Sequence, residues 1–523
     1  MQFAPARQLL VGHLLASRLG GKLVAGAASS PVYNVVMQTN ARQKWRAAIG
    51  VACTLLMHSV GRTDPTVAGD PGLRADVPGD VNRPFAQELA SSAAPDLFLA
   101  LSGSIAVNSS SAQLPAWDPK LVAILRGTAS NGDTTVAIAD LQGTLMDPDP
   151  NIGYPYPWDL RPVYRAPPGV ADALKDRGLS MLARANGHAL DWGIEGMRAT
   201  GAALDKRALI HAGTGEREGL ARMASYLDEP GGKGRIALLS TATTFRPTSS
   251  ALSPWGAAVG RAGISAMDVD ATRIVPAAQG AQLQRIACHF QYPQQPERCE
   301  KLAPLPAVSL FGSRFATSGA TAGREFTSQY VLNTSQLASE LRSVREAKQN
   351  ADLAVLAISA DQQERPSRGI AQPSAMLVGL AHAAIDSGAD LIMVTGLPVL
   401  GPIEIYRPPG RAPRAILYGL GNLYWSPAAA PATTGAEVYD SVIVRSTVSG
   451  SSVALEIYPV ALDAADGLSG IPHLASAARG RAILERLQRI SSAFQTTIAV
   501  QNYGGTVRGL VRVVDPPVRS TAP

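Results

Sequence analysis

Asn186-Gly187-His188-Ala189-Leu190-Asp191-Trp192-Gly193 is a polar turn between two regular elements. Ahead of it, Leu179 to Ala183 is an apolar run of strand length. Behind it, Ile194, Met197 and Leu204 recur at helical spacing, with the small Gly201 on the same face. A strand that exits into a polar turn and opens a helix is where α/β folds place their chemistry, because polar groups collect at the carboxyl edge of the sheet. Within the turn, Asp191 stands where it can cap the following helix. Gly187 and Gly193 suit a backbone with positive φ.

The same alternation extends outward. Strands are expected at Leu97 to Leu101, ending at Ser102-Gly103-Ser104, and at Thr135 to Ala139, ending at Asp140-Leu141-Gln142. Further strands follow at Ala208–His211, Ile236–Ser240, Ala354–Ser359, Leu391–Val394 and Ile416–Leu420, with helices between several of them. Pro119 to Arg126 reads as a helix. Another begins at Pro167 or Pro168 and is capped by Gly178. Ser441–Thr447 and Ala454–Val460 read as an antiparallel pair, and Leu484 to Phe494 as a late amphipathic helix. Strands alternating with helices, plus a hairpin-rich end, indicate an α/β sandwich.

With 523 residues, 46% of them hydrophobic, the chain can bury a large core, as one α/β domain with appendages or as two domains. Charged residues make up only 17%, and 49 Gly and 38 Pro imply long loops. The net charge of +6 is spread out, with no basic cluster interleaved with aromatics, so nucleic acid is not an expected partner. Three cysteines without a C-x-x-C exclude a disulfide scaffold and a Cys-based zinc site. Cys288 and Cys299 flank a polar loop, His289 to Arg298, that could bring them together in an oxidising compartment.

Residues 1–61 read as an upstream extension and a signal peptide. Arg42, Lys44 and Arg46 form its positive region, Ala47 to Met57 its apolar core, and Ser59-Val60-Gly61 a small-x-small cleavage site, with Thr66-Val67-Ala68 as a second. Met37 reads as the initiator. The apolar run is too short for a membrane-spanning helix, so membrane association would come only through an uncleaved leader. The expected destination is the periplasm or the cell envelope. Residues 62–95 are a Pro/Gly/Asp/Ala linker, 96–462 the main domain, and 463–523 a C-terminal helix and tail.

The octet resembles the Asn-Asn-His-Ala-Leu-Asp-Trp-Gly signature of the CapA family, the poly-γ-glutamate capsule-synthesis proteins with a calcineurin-like metallophosphatase fold. Other blocks carry the resemblance in the same order, over roughly residues 96 to 460. They are Ala166-Pro167-Pro168 with ADALKDRG, HAGTGE from His211 to Glu216 with the stretch after it, LAHAAIDSGADLI with IEIY, and ILYGLGNLYW. The resemblance implies a metallophosphatase-like αββα sandwich with mixed sheets, plus the leader and a C-terminal helical and strand appendage. It also implies two divalent cations held by Asp, His and Asn, whose shared water becomes a nucleophile near neutral pH.

The family's ligand positions are altered motif by motif. Its Gly-Asp is here Gly103-Ser104, and its Asn-Leu-Glu is Asp140-Leu141-Gln142. Its Asn-His pair is Gly187-His188. Its His-x-His-Glu after Ile-Ser is replaced where Ile358-Ser359 runs into Asp361-Gln362-Gln363-Glu364, and its His-Gly-Pro-His-Val is Thr395-Gly396-Leu397-Pro398-Val399. A lone His188 cannot assemble a binuclear centre, and His211, His289, His382 and His473 lack ligand spacing; His382 reads as packed or solvated. No resident metal is expected.

His188 remains the candidate catalytic residue, a general acid for a leaving oxygen; otherwise it hydrogen-bonds backbone in the turn. Asp140, Gln142, Asn186, Asp361 and Glu364 are the candidate binding residues around it. Two functions follow. One is an exported, catalytically lapsed scaffold that binds an anionic polymer (poly-γ-glutamate or polysaccharide) or a capsule synthesis or export protein, with Arg161, Arg165, Arg184 or Arg324 at the rim. The other is a divergent metal-dependent hydrolase using His188 with Asp140, Asp361 and Glu364 and one weakly bound divalent cation or none.

Overall fold

Leu97, Leu99 and Leu101 lie on one face of the first strand, Leu97–Ala106, and Ala100 on the other; the two faces are buried in different cores. A strand buried on both sides belongs in the middle of a layered α/β structure. The structure is a computed structural model that describes residues 97–127, 135–148, 162–317, 326–362, 372–430, 435–448, 452–462 and 470–514. The leader and linker expected at 1–61 and 62–95 lie outside the described residues.

The Leu97–Ala106 strand is central in a ten-stranded sheet. On one side of it Thr135–Gln142, Leu179–Ala183 and Ile210–Ala212 follow in parallel. On the other, Asp440–Val448, Ser452–Ala461, Thr506–Val514 and Ala499–Tyr503 follow in antiparallel order. The second sheet has six strands. Its middle, Arg235–Ala242, Leu353–Ala360, Leu391–Gly396 and Arg414–Leu417, is parallel, and Ser225–Asp228 and Ile403–Tyr406 close its edges antiparallel.

The sheets pack face to face through aliphatic side chains, Leu99, Ile138 and Met181 from one against Leu238, Val355 and Met393 from the other. At about 1.5–3 kcal/mol per fully buried aliphatic side chain, this double core is the main stabilising feature. Helices Pro119–Arg126 and Val170–Asp176 cover the outer face of the larger sheet. Thr334–Gln349 and Ala375–Asp386 cover that of the smaller one. The order is helix, sheet, sheet, helix: a metallophosphatase-like α/β sandwich with mixed sheets.

Several elements differ from the sequence reading. The first strand does not stop at Ser102 but runs to Ala106, through a register shift between Leu101 and Ser104. Gly103 permits this: a Cβ there would lie 1.8 Å from the Gly421 carbonyl oxygen, where the Asn422–Trp425 strand comes alongside. At the C-terminus the helix is Ala477–Ser491, beginning before Leu484, with Ser476 Oγ accepting from Arg479 N at its start. Its Ile483, Leu484 and Leu487 enter the intersheet core, and the strands after it extend the larger sheet.

Between the two halves of the second sheet, Val269–Val275, Ala307–Leu310, Ser313–Thr317 and Thr327–Leu332 form a separate four-stranded sheet with helix Ala277–Gln291. No sequence periodicity announced it, because most of its side chains stay half-buried or exposed. Here Cys288 and Cys299 are disulfide-bonded, with Cα atoms 5.6 Å apart.

Candidate functional site

The parallel strands of both sheets end at the same edge, and their last residues meet. Asp140 closes Thr135–Gln142, opposite Ser104 in the register of the neighbouring strand. The Asn186 turn follows Leu179–Ala183 and is tied to the second sheet by Ala185 N donating to Ser240 Oγ at 3.0 Å. Thr395 comes from the end of Leu391–Gly396.

Asp140 is the hub of this edge, and it is buried. Asn186 Nδ2 donates to its Oδ1 at 2.8 Å and also to the Leu141 carbonyl. Ser104 Oγ donates to its Oδ2 at 2.9 Å and Gln142 Nε2 at 3.2 Å; Thr395 bonds it from the second sheet. Burial pushes the Asp140 carboxyl up from the ordinary carboxylate value, and the hydrogen bonds from Asn186, Ser104, Gln142 and Thr395 pull it down. The upward push prevails.

A second cluster stands beside it. Asn186 Oδ1 accepts from His188 N at 3.0 Å, which fixes the turn. His188 Nδ1 lies 2.8 Å from Asp191 Oδ2 and its ring stacks on Tyr164, centroids 4.0 Å apart. Asp191 is fully buried and also accepts from Tyr164 N and from the Arg246 guanidinium, each at 2.6 Å. A carboxylate at Nδ1 selects the tautomer with the proton there and leaves Nε2 as the basic nitrogen. Among the described residues Nε2 has no hydrogen-bond partner.

Asp191 therefore does not cap the helix it precedes. Gly193–Asp205 begins at Trp192 without a side-chain cap, because three other donors hold the carboxylate. Gly193 has φ +70° as expected, whereas Gly187 is not among the positive-φ residues. A Cβ at 187 would meet nothing within 4 Å, so neither backbone nor crowding demands glycine there.

Of the candidate binding residues, Asp140, Gln142 and Asn186 come together with Ser104 and Thr395. Asp361 is exposed and its bonds go to Thr244, with Thr244 Oγ1 at 2.5 Å from Oδ1 and Asp361 N donating back at 3.0 Å. Glu364 lies outside the described residues, as do Arg161 and Arg324. Arg184 is buried, bonded to the Met197 carbonyl, with burial lowering it to about 10, so it is no rim residue. Arg165 is half-buried over the Trp192 ring. His211 is pushed down to about 4 by burial and by Arg184. His382 is packed, on Glu404 at 2.8 Å and against Tyr406.

Sequence reading missed Tyr164 and Arg246. Arg246 follows the end of Arg235–Ala242 in the other sheet, so only the packing of the two sheets places it on Asp191. Its one signal is an arginine just beyond a strand end.

The donor set does not fit a two-cation centre. Of the described residues, Asp140 is the one carboxylate in its cluster, and the groups around its oxygens present N–H and O–H protons. Among the described residues, no three His, Cys, Asp or Glu side chains gather as a metal site would require.

Fold and edge together define a metallophosphatase-like sandwich with a hydrogen-bonded site at the strand ends. A model of the bacterial capsule synthesis protein family, PGA_cap, matches residues 123–426. Two proteins of Sinorhizobium fredii (strain NBRC 101917 / NGR234), "Uncharacterized protein y4sH" and "Uncharacterized protein y4uA", are each 30% identical over 431 residues, covering 74% of this chain and 88% of the relative. The chain belongs to the bacterial capsule synthesis protein family.

Proposed function

We propose that this protein serves capsule synthesis as an exported, catalytically lapsed member of its family, its strand-end site binding rather than cleaving. The observation that carries this reading is the wiring of Asp140. Ser104, Gln142, Asn186 and Thr395 turn protons toward the carboxyl group, where a metal centre needs lone pairs. Its ligand is an anionic polymer, poly-γ-glutamate or a polysaccharide, or a protein of the synthesis and export machinery. Export is supported by the order of leader features around Ala47–Met57 and by the Cys288–Cys299 bridge, which persists in an oxidising compartment. Among the described residues no helix is long and apolar enough to cross a membrane.

A second reading, a divergent hydrolase, is favoured by one observation. Asp191 holds the Nδ1 proton of His188, so Nε2 can take up a proton and, from the imidazolium, pass it to a leaving oxygen. Elemental analysis and turnover separate the two. After purification with added manganese or zinc, well under two ions per chain are expected, and bis-p-nitrophenyl phosphate turnover should match the buffer blank. Two tightly held ions, or a rate that drops on His188→Ala, would overturn the lapsed reading in favour of the hydrolase.

A further inference from the structure

The separate four-stranded sheet and its helix end in two phenylalanine rings that the fold leaves outside. Helix Ala277–Gln291 buries Gly280, Gln284 and Cys288. Ile286 and Phe290, one turn apart on another face, point outward, 44% and 66% exposed. Beside the helix end, strands Ala307–Leu310 and Ser313–Thr317 are joined by the two-residue loop Phe311-Gly312. Phe311 is 77% exposed, and its ring meets that of Phe290 edge-on, centroids 5.1 Å apart.

The loop's backbone makes Phe311 an unfavourable choice for the turn. Both loop positions have positive φ, +48° at Phe311 and +73° at Gly312, as tight two-residue hairpin loops require. Glycine, asparagine or aspartate takes that conformation easily, whereas a bulky side chain adopts it under strain. The hairpin thus carries a ring that its own turn disfavours and its own core does not bury. The tip is also braced. Cys288 is bridged to Cys299, and Gln284 Nε2 donates to the Ala303 carbonyl at 2.8 Å while its Oε1 accepts from Leu305 N at 3.0 Å.

Charge selects what the rings meet. Residues 277–317 hold four cations, Arg285, Arg298, Lys301 and Arg314, against two acids, Glu297 and Glu300. Glu300 lies 3.5 Å from His289, and Arg298 lies over the Tyr292 ring. Arg285, Lys301 and Arg314 are exposed and have no ion-pair partner among the described residues. Two projecting rings need a surface that yields around them; a folded partner would need a pocket for each. A lipid interface admits aromatic rings anywhere along it, and anionic headgroups supply counter-charges for the unpaired cations. We infer that the Phe290–Phe311 tip docks on an anionic lipid surface. This contact needs neither the leader nor the function proposed for the strand-end site.

The test is co-sedimentation of the full chain with vesicles of phosphatidylcholine and phosphatidylglycerol, about three to one, and of phosphatidylcholine alone. The mixed vesicles should bind it more tightly, and added salt should weaken the complex. The leader is common to every variant, so differences among them report the tip. Phe311→Asn suits the turn better than the natural residue, so it should keep or raise the thermal midpoint while weakening binding roughly tenfold, as loss of one inserted ring would. Phe311→Trp should retain binding, and brominated lipid should quench its emission beyond that of the natural protein. Arg314→Gln should narrow the preference for mixed vesicles, whereas Trp255→Ser, which removes an exposed ring at a different turn, should leave binding unchanged. Equal binding by the natural protein and F311N overturns the inference, and so does binding that W255S abolishes. A dimer that F311N dissociates makes the tip a contact between copies and overturns it too. None of these results bears on metal content or phosphodiesterase turnover, so the strand-end reading stands or falls separately.

Discussion

Asp140 and Asp191 are both buried acids in one region, and they are satisfied in different ways. Asp191 keeps its charge company with Arg246, itself buried, and with His188. Arg246→Ala leaves that carboxylate without its cation, and losing one partner of a buried pair costs about 3–5 kcal/mol. Urea denaturation should register the loss; a change under about 1 kcal/mol would mean that His188 and Tyr164 suffice. Asp140 is held instead by uncharged donors, and its folded-state affinity for a proton is raised above the ordinary 3.8. Folded protein therefore holds a proton that unfolded protein has released, and stability falls as pH climbs from about 3.8 through the raised value. Asp140→Asn lacks that proton. Its stability relative to the natural protein should improve with rising pH across this interval and level off above it, the Ser104 hydroxyl turning to accept from the new amide. Denaturation midpoints across a pH series check this, and a flat difference would refute it.

Among the elements, those with clean periodicity were legible: Pro119–Arg126 and Leu179–Ala183 appear with the bounds read from sequence. Pro119 supplies the first helical turn, and Asp118 accepts from Lys120 N at 2.8 Å. Leu97–Ala106 was half legible, because polar residues normally end a strand, and only the close approach of Gly421 shows why Gly103 continues one. The disulfide was legible too, since a short polar loop between two cysteines limits their separation. It joins helix Ala277–Gln291 to the short Pro296–Cys299 helix, in a module with little buried surface of its own. Replacing both cysteines with serine should cost about 2–3 kcal/mol. Alkylation of denatured, unreduced protein should find neither Cys288 nor Cys299 reactive; two free thiols would sink the bridge.

At the scale of the molecule, the sequence by itself determined the layered α/β architecture, because apolar runs of strand length alternating with amphipathic helices can bury both sheet faces in no simpler way. The residue types at the altered motif positions, Ser104, Gly187, Leu397 and Pro398, were legible in the sequence as well, because a residue's identity needs no fold to be read. Only the tertiary structure decided what the site has. Arg246 reaches Asp191 and Thr395 reaches Asp140 across the gap between two sheets, contacts between residues far apart in the chain that no local periodicity encodes. The same holds for Arg445, Glu456 and Arg508, which become neighbours through strand register alone. Asp361, adjacent in sequence to a strand end, was drawn to Thr244 instead, because a hydrogen bond depends on where the backbone carries a side chain and not on its place in a motif.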